Sequence, residues 1–380
     1  MRILVHLPQP SNEYPMSQPM RGALILEAVS PQCPWAVRLA VAFAARMLVD
    51  LGAHVVKLVD ADDSLRLDQT APDELADPAY GFLNAGKSLV ILPGGSTGPS
   101  WGRLQRRALV SILDNGLAAS AQLVPGRSTQ AVLSMFGKDD AGATAASEFT
   151  LMAAGGLLDL VGEADRQPLA LGGHQLAYSA GLAAFAGVLA ALATTTGGSS
   201  VETVRVNLLD TAVWLNWKSV VAAAHTGAAP TRSGKNSEWR VIPCADGWVA
   251  LVFRDSDWPK LKALVGDPQL DADCFATHFG RRTHAGELAR VMDTAFLHMR
   301  RREIHERALA CRIPLGPVYS PQDLMDDPQY LERHFLQRAA VQPRRDMLIP
   351  RLPVLWNGAS RMPGALPRRS DAATRMDQFA

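Results

Sequence analysis

The stretch HQLAYSAGL, His174 to Leu182, sets an imidazole, a carboxamide and a phenol just ahead of an apolar run, AAFAGVLAAL. An imidazole can move a proton near neutral pH, and a phenol can donate to a carbonyl on which charge develops. His174 is therefore a candidate general base, or a residue that caps the coming helix. Tyr178 is a candidate hydrogen-bond donor, or a tyrosine at the edge of a core. The question is whether this entrance is a catalytic site or the polar lip of a buried helix.

The elements around it come from patterning. GALILEAV, 22–29, reads as a buried strand, and WAVRLAVAFAARMLVDL as a helix broad in its apolar face. Ser30 or Gln32 could cap that helix, Pro34 suits its first turn, and Gly52 lies past its end. AHVVKLVD, 53–60, is a second strand, so strand, helix and strand form a βαβ unit with a parallel sheet. The turn SPQCPW contains no glycine, so the dinucleotide fingerprint is missing and a nicotinamide or flavin cofactor is disfavoured. KSLVILPGG, 87–95, and QAVLSMFG, 130–137, add strands, and a helix starting near Glu148 runs into GGLLDLVG. VETVRVNLLD is a strand with alternation, followed by the helical stretch TAVWLNWKSVVAAAHTG.

Composition shifts in the polar stretch 227–240, which reads as a linker. VIPCADGWVALVF then reads as a hairpin turning at Asp246-Gly247. Helical stretches at about 256–266 and 284–311 complete a small α+β unit, and IPLGPVY, 313–319, is a strand. The tail from Pro343, rich in proline and arginine, should wrap the surface. The expected class is α/β: a large Rossmann-like domain beginning at residue 1 and running to 226, with a small domain over 227–311.

Bulk numbers narrow the function. In 380 residues, 20% are charged, 48% are hydrophobic, and the formal net charge is +1. That balance supplies no field for nucleic acid, and RLQRR and RRRE read as solvated helix faces. The four cysteines are dispersed without CxxC or zinc spacing, which predicts a reduced, cytoplasmic protein without a metal site. The N-terminal apolar stretch is too short for a secretory signal. The run from Leu176 to about Thr194 approaches membrane-span length, but Gly181, Gly187, Tyr178 and Ser179 suit a soluble core helix, so no membrane is expected.

The order of segments resembles the family III CoA-transferases, the CaiB/BaiF group, which includes formyl-CoA and carnitine CoA-transferases and α-methylacyl-CoA racemases. The resemblance is carried by LVDLGAHVVKLVD with Arg66 downstream, FLNAGKSLVIL, SEFTLMAAGGLLDLVGEADRQPL and AGLAAFAGVLAAL. It continues in order through CADGWVALVF, DWPKLKALVGDPQL and IPLGPVYSPQDLMDDPQYLERHF, covering roughly 20–355. It implies a Rossmann-like large domain to which the segment 312–380 returns, a small domain, and two interlocked chains. It also implies coenzyme A or an acyl-CoA as substrate, with no permanently bound cofactor, and an organic acid as the other reactant. By position, Arg38, Arg66, Asn84 and Lys87 fall on segments that hold CoA phosphates in such proteins, or are ordinary surface residues.

The resemblance also exposes a gap. Family transferases use an aspartate nucleophile three or four residues before the glycine of the central helix. Here that glycine is Gly181 and the matching positions are Ala177 and Tyr178. No Asp or Glu occurs between Asp165 and Glu202. The histidine of the racemase branch falls at Ala146, so that pair is missing too. His174 and Tyr178 are possible substitutes near a thioester, and Glu148 and Asp159 border the same implied pocket, or are a helix-start carboxylate and a surface acid. Two expectations follow. The chain is the non-nucleophilic subunit of a heteromeric CoA-transferase with a paralogous partner, or it acts alone as an acyl-CoA isomerase, lyase or dehydratase. A non-enzymatic CoA-ester binding protein is the rival from another class.

Overall fold

The computed structural model describes residues 18–59, 78–91, 99–120, 129–137, 146–194, 202–228, 232, 239–342, 345–359 and 370–371. They form two compact units. The first comprises residues 1–157, 170–221 and 329–380, and the second 158–169 and 222–328.

The first unit is built on a parallel sheet. Its strands are β1 (Leu24–Ala28), β2 (His54–Leu58), β3 (Ser88–Ile91), β4 (Val110–Asp114), β5 (Thr129–Ser134), β6 (Thr203–Asn207) and a two-residue edge strand, β12 (Ser370–Asp371). The order is β12-β3-β2-β1-β4-β5-β6, with every pairing parallel. The direction of winding reverses between β1 and β4, the switch point beside which ligands bind in such sheets.

The central strands β1, β4 and β5 are buried almost throughout because helices cover them, whereas the edge strand β6 is largely exposed or half-buried. The helices are α1 (Trp35–Asp50), α2 (Pro78–Asn84), α3 (Pro99–Arg107), α4 (Asn115–Ser120), α5 (Glu148–Ala154), α6 (Gln175–Thr194), α7 (Leu208–Leu215) and α8 (Trp217–Thr226), the last continuing into the second unit. α1 and α6 pack side by side. Gly181 permits this: a Cβ there would lie 2.7 Å from the Ala40 carbonyl oxygen. Among the described residues, α6 is the helix long and apolar enough to cross a membrane by length and composition. Leu176, Ala180, Ala184, Phe185 and Val188 are buried by its packing within the unit.

The second unit carries the antiparallel sheet β7-β8-β9, from β7 (Arg240–Cys244), β8 (Gly247–Leu251) and β9 (Leu315–Pro317). Helices α9 (Trp258–Val265), α10 (His278–Thr283), α11 (Ala285–Phe296), α12 (Arg301–Cys311) and α13 (Pro321–Asp326) surround it. Its core joins Ile242, Val249, Leu261, Phe275, Phe296 and Ile304. After α14 (Pro328–Glu332), the hairpin of β10 (Leu336–Gln342) and β11 (Arg345–Pro350) belongs to the first unit.

Several details depart from the sequence reading. Neither Ser30 nor Gln32 caps α1: its N-cap is Pro34, and Ser30 is drawn away to Asp114, through N–H at 2.7 Å and hydroxyl at 2.6 Å. The helix beginning at Glu148 stops at Gly155, because Gly156 takes φ +76°. VETVRVNLLD is strand only to Asn207, after which LLD opens α7. The stretch 208–226 breaks at Asn216, and 284–311 is two helices rather than one. The β7–β8 turn is Ala245-Asp246, one residue earlier than predicted, with Gly247 already pairing Cys244.

Candidate active site

The site lies where β1 and β5 end and α5 and α6 begin. An open cavity of about 360 Å³ is lined there by Pro34, Trp35 and Ala36 at the start of α1 and by Met135 just past β5. Ala146 to Phe149, Met152, Ala170, Leu171, Gly173 and His174 complete the wall. The carboxyl ends of parallel strands are where such folds present ligands, because the helix N-termini that follow point their free N–H groups there.

Glu148 is the organising residue. Ser147 caps α5 in a reciprocal box with Thr150, which sets Glu148 in the first turn. From there its carboxylate crosses to α6. One oxygen accepts the Ala177 backbone N–H at 3.0 Å, and the other lies 2.7 Å from His174 Nδ1. A carboxylate at a helix N-terminus gains from unsatisfied amides and the helix dipole. The Glu148 side chain is 11% exposed, whereas the His174 side chain is 46% exposed. His174 thus presents its remaining edge outward while its Nδ1 is held by an acid, the arrangement that fixes an imidazole's tautomer and orientation. It does not cap α6 through its ring; Glu148 supplies the cap.

Tyr178 stands one helical turn on. Its ring is 6.4 Å from that of His174, edge to face, and 5.0 Å from Phe43. Trp35 packs 6.3 Å from the His174 ring. Ala177 is fully buried in the first turn of α6. The structure therefore brings His174, Tyr178, Ala177 and Glu148 together. Asp159 belongs to the second unit, where it is ion-paired to Arg232 at 2.6 Å.

The residues expected to hold CoA phosphates are placed otherwise. Arg38 is buried and donates to the carbonyls of Ser30 and Pro31, pinning the β1–α1 turn. Lys87 is buried, donating to Glu27 at 2.6 Å and to the Ala42 carbonyl at 2.8 Å. Its pKa is lowered to about 8, because loss of water outweighs the attraction of Glu27. Asn84 is buried, donates to the Tyr80 carbonyl and accepts from Lys57. Arg66 lies outside the described residues. In the second unit, Cys274, His284 and Glu287 bring donor atoms within 4.8 Å of one another, a cluster that no spacing announced.

The model of CoA-transferase family III matches residues 130–369, more than half of the chain. The chain belongs to CoA-transferase family III. This family III chain is 24% identical over 344 residues to a succinate–glutarate CoA-transferase of Agrobacterium fabrum, spanning 83% of this chain and 84% of that protein. Its fold is that of a CaiB/BaiF family protein from Brucella suis, with TM-score 0.81 and 20% identity over 95% of this chain and 99% of that one. A Mycobacterium tuberculosis protein in an orthorhombic crystal form gives TM-score 0.74 and 18% identity, over 94% and 98% of the two chains. The family III membership supports CoA-transferase-type chemistry in general, with CoA or an acyl-CoA as substrate. The sequence offers Glu148 as a helix-start carboxylate or an acid bordering the implied pocket, and its carboxylate reaches α6. The available signal was Ser147-Glu148 at a helix start, but which helix its carboxylate would reach was not written in the local sequence.

Proposed function

We propose that this chain binds an acyl-CoA and an organic acid as the non-nucleophilic subunit of a heteromeric CoA-transferase. The observation that carries the reading is Ala177, a buried methyl group in the first turn of α6, where the resemblance calls for an aspartate. The partner is a paralogous chain that keeps the carboxylate. Trp214 (73% exposed), Trp217 (56%) and Val221 (57%), large apolar side chains on the consecutive helices α7 and α8, support association with another chain. The four cysteines are all free thiols, which supports a reducing, cytoplasmic setting. Co-expression with a paralogue tests the reading. A mixed complex is expected, with a covalent acyl or CoA adduct on the paralogue alone. A paralogue fully active by itself, with no mixed complex, sinks it.

A second reading is favoured by a specific observation, the Glu148 carboxylate on the Ala177 N–H with His174 at its other oxygen. The acid that α6 lacks is delivered from α5. In this version the chain works alone, as an isomerase, lyase or dehydratase. His174 takes a proton from the acyl-CoA α-carbon, Glu148 steadies the imidazolium, and Tyr178 donates to the thioester carbonyl. His174→Ala and Tyr178→Phe proteins with undiminished turnover would remove it. If acyl-CoA binds but neither turnover nor a mixed complex is found, a CoA-ester binding protein remains.

A further inference from the structure

The cavity has a polar side and an apolar side of different extent. Glu148 and His174 form the chemical end, with Ser147 beside them. Trp35, Met135, Phe149, Met152 and Leu171 supply the large apolar side chains of the remaining wall. Neither lysine nor arginine is among the lining residues described. Arg38 and Lys87, the buried cations of this unit expected from sequence to serve the ligand, are directed to backbone carbonyls and to Glu27.

A cavity so lined discriminates by charge. A carboxylate at the far end of an acyl group would lose water against aromatic and thioether side chains. It would meet no cation among the described lining residues, and it would share the cavity with Glu148. An uncharged chain meets the opposite balance: each methylene buried against such a wall strengthens binding about fourfold. Trp35, Phe149 and Leu171 remain 43%, 60% and 55% exposed, so apolar surface stands available to be covered. The volume of about 360 Å³ lies within the range of small-molecule sites.

We propose that this cavity receives the acyl part of an uncharged, apolar acyl-CoA of several carbons, and that it excludes dicarboxylic acyl groups. Trp35, Phe149 and Leu171 are its specificity-determining residues. The proposal rests on the reading that this site takes CoA thioesters. It separates the chain from the Agrobacterium relative, which is named for two dicarboxylates.

Calorimetric titration of the full-length protein with hexanoyl-CoA, benzoyl-CoA, succinyl-CoA, glutaryl-CoA and free CoA tests it. Hexanoyl-CoA and benzoyl-CoA should bind at least about tenfold more tightly than succinyl-CoA and than CoA itself. Leu171→Arg, at an exposed position, should narrow or reverse that ratio by giving a second carboxylate a partner. Trp35→Ala should weaken hexanoyl-CoA while leaving CoA unchanged. Succinyl-CoA or glutaryl-CoA binding as tightly as hexanoyl-CoA overturns the proposal and leaves the CoA reading standing. So does a preference that neither substitution moves. Failure of every CoA species to bind overturns both.

Discussion

Two carboxylates of the first unit each engage basic partners, and they do different work. Glu27 sits near the end of β1, paired with Lys87 at 2.6 Å and Lys57 at 3.5 Å, all three side chains nearly inaccessible. Glu148 sits at a helix entrance, shared between a backbone N–H and a half-exposed histidine. The first arrangement is closed: Lys87, Lys57 and Asn84 engage Glu27, one another and backbone carbonyls. The second is open on one side, toward a cavity. Chemistry needs a group held in place yet reachable, and only the second arrangement offers both. A lysine in a matching segment reads as a phosphate ligand until its depth is known.

The largest effect should come from breaking the closed arrangement. Glu27→Ala leaves two ammonium groups buried without their counter-charge. Loss of one partner from a buried pair costs about 3–5 kcal/mol, to be read in the denaturation midpoint. Glu27→Leu combined with Lys87→Met should recover part of that loss, since apolar replacement removes the charges with their partner. The comparison also has a pH signature. Lys87 is held at about 8 when folded against 10.5 ordinarily, so the unfolded chain binds more protons between those values. Its unfavourable contribution is fully present below about 8 and is relieved as pH rises toward 10.5. Lys87→Met should flatten that rise in stability.

A smaller effect should follow where the site is positioned but not formed. Gly181→Ala puts a methyl 2.7 Å from the Ala40 carbonyl oxygen and 3.2 Å from Phe43 Cβ, both on α1. The helices must separate, at about 1–3 kcal/mol by the usual measure of overpacking. Because α6 carries Ala177 and begins directly after His174, acyl-CoA affinity should fall together with stability. Unchanged affinity in a destabilised protein would show that the cavity does not depend on the α1–α6 spacing.

Much of the scaffold was legible from residue order. The β1–α1–β2 unit declares itself because its strands are mostly buried and Gly52, with φ +97°, follows the end of its helix. The α6 run declares itself by length. β4 was missed because VSILD follows the polar α3 segment directly, with no turn signal between them. Ser30 was misread as a cap because its true partner, Asp114, is on another strand. The contacts of Glu148, Lys87 and Asn84 could not be read from their segments, for the same physical reason. Whether a polar group faces a cavity or a counter-charge depends on elements distant in sequence: 26 positions separate Glu148 from His174 and 60 separate Glu27 from Lys87.

The open site should show the opposite signature to Glu27. Glu148→Gln keeps the side chain's shape and an oxygen to accept the Ala177 N–H, so stability should change by about 1 kcal/mol or less. The charge that orients His174 disappears, so turnover or adduct formation on acyl-CoA should fall while the thermal midpoint barely moves. A loss of stability as large as that from Glu27→Ala would mean that Glu148 is a structural cap and no more.

The smallest effect is expected at a third carboxylate, which calibrates the other two. Asp323 caps α13 through Ser320 and pairs with Arg301 at 2.9 Å. The Arg301 hydrogen bond, with help from Ser320, lowers its pKa to about 2 from 3.8. The folded form therefore binds its proton later than the unfolded chain as pH falls. Its contribution is complete above about 3.8 and is lost as pH drops through 2. Asp323→Asn should lower the stability of the second unit slightly at neutral pH, with the gap from wild type closing across that acid window. A gap that persists below it would assign the loss to the altered α13 cap rather than to charge.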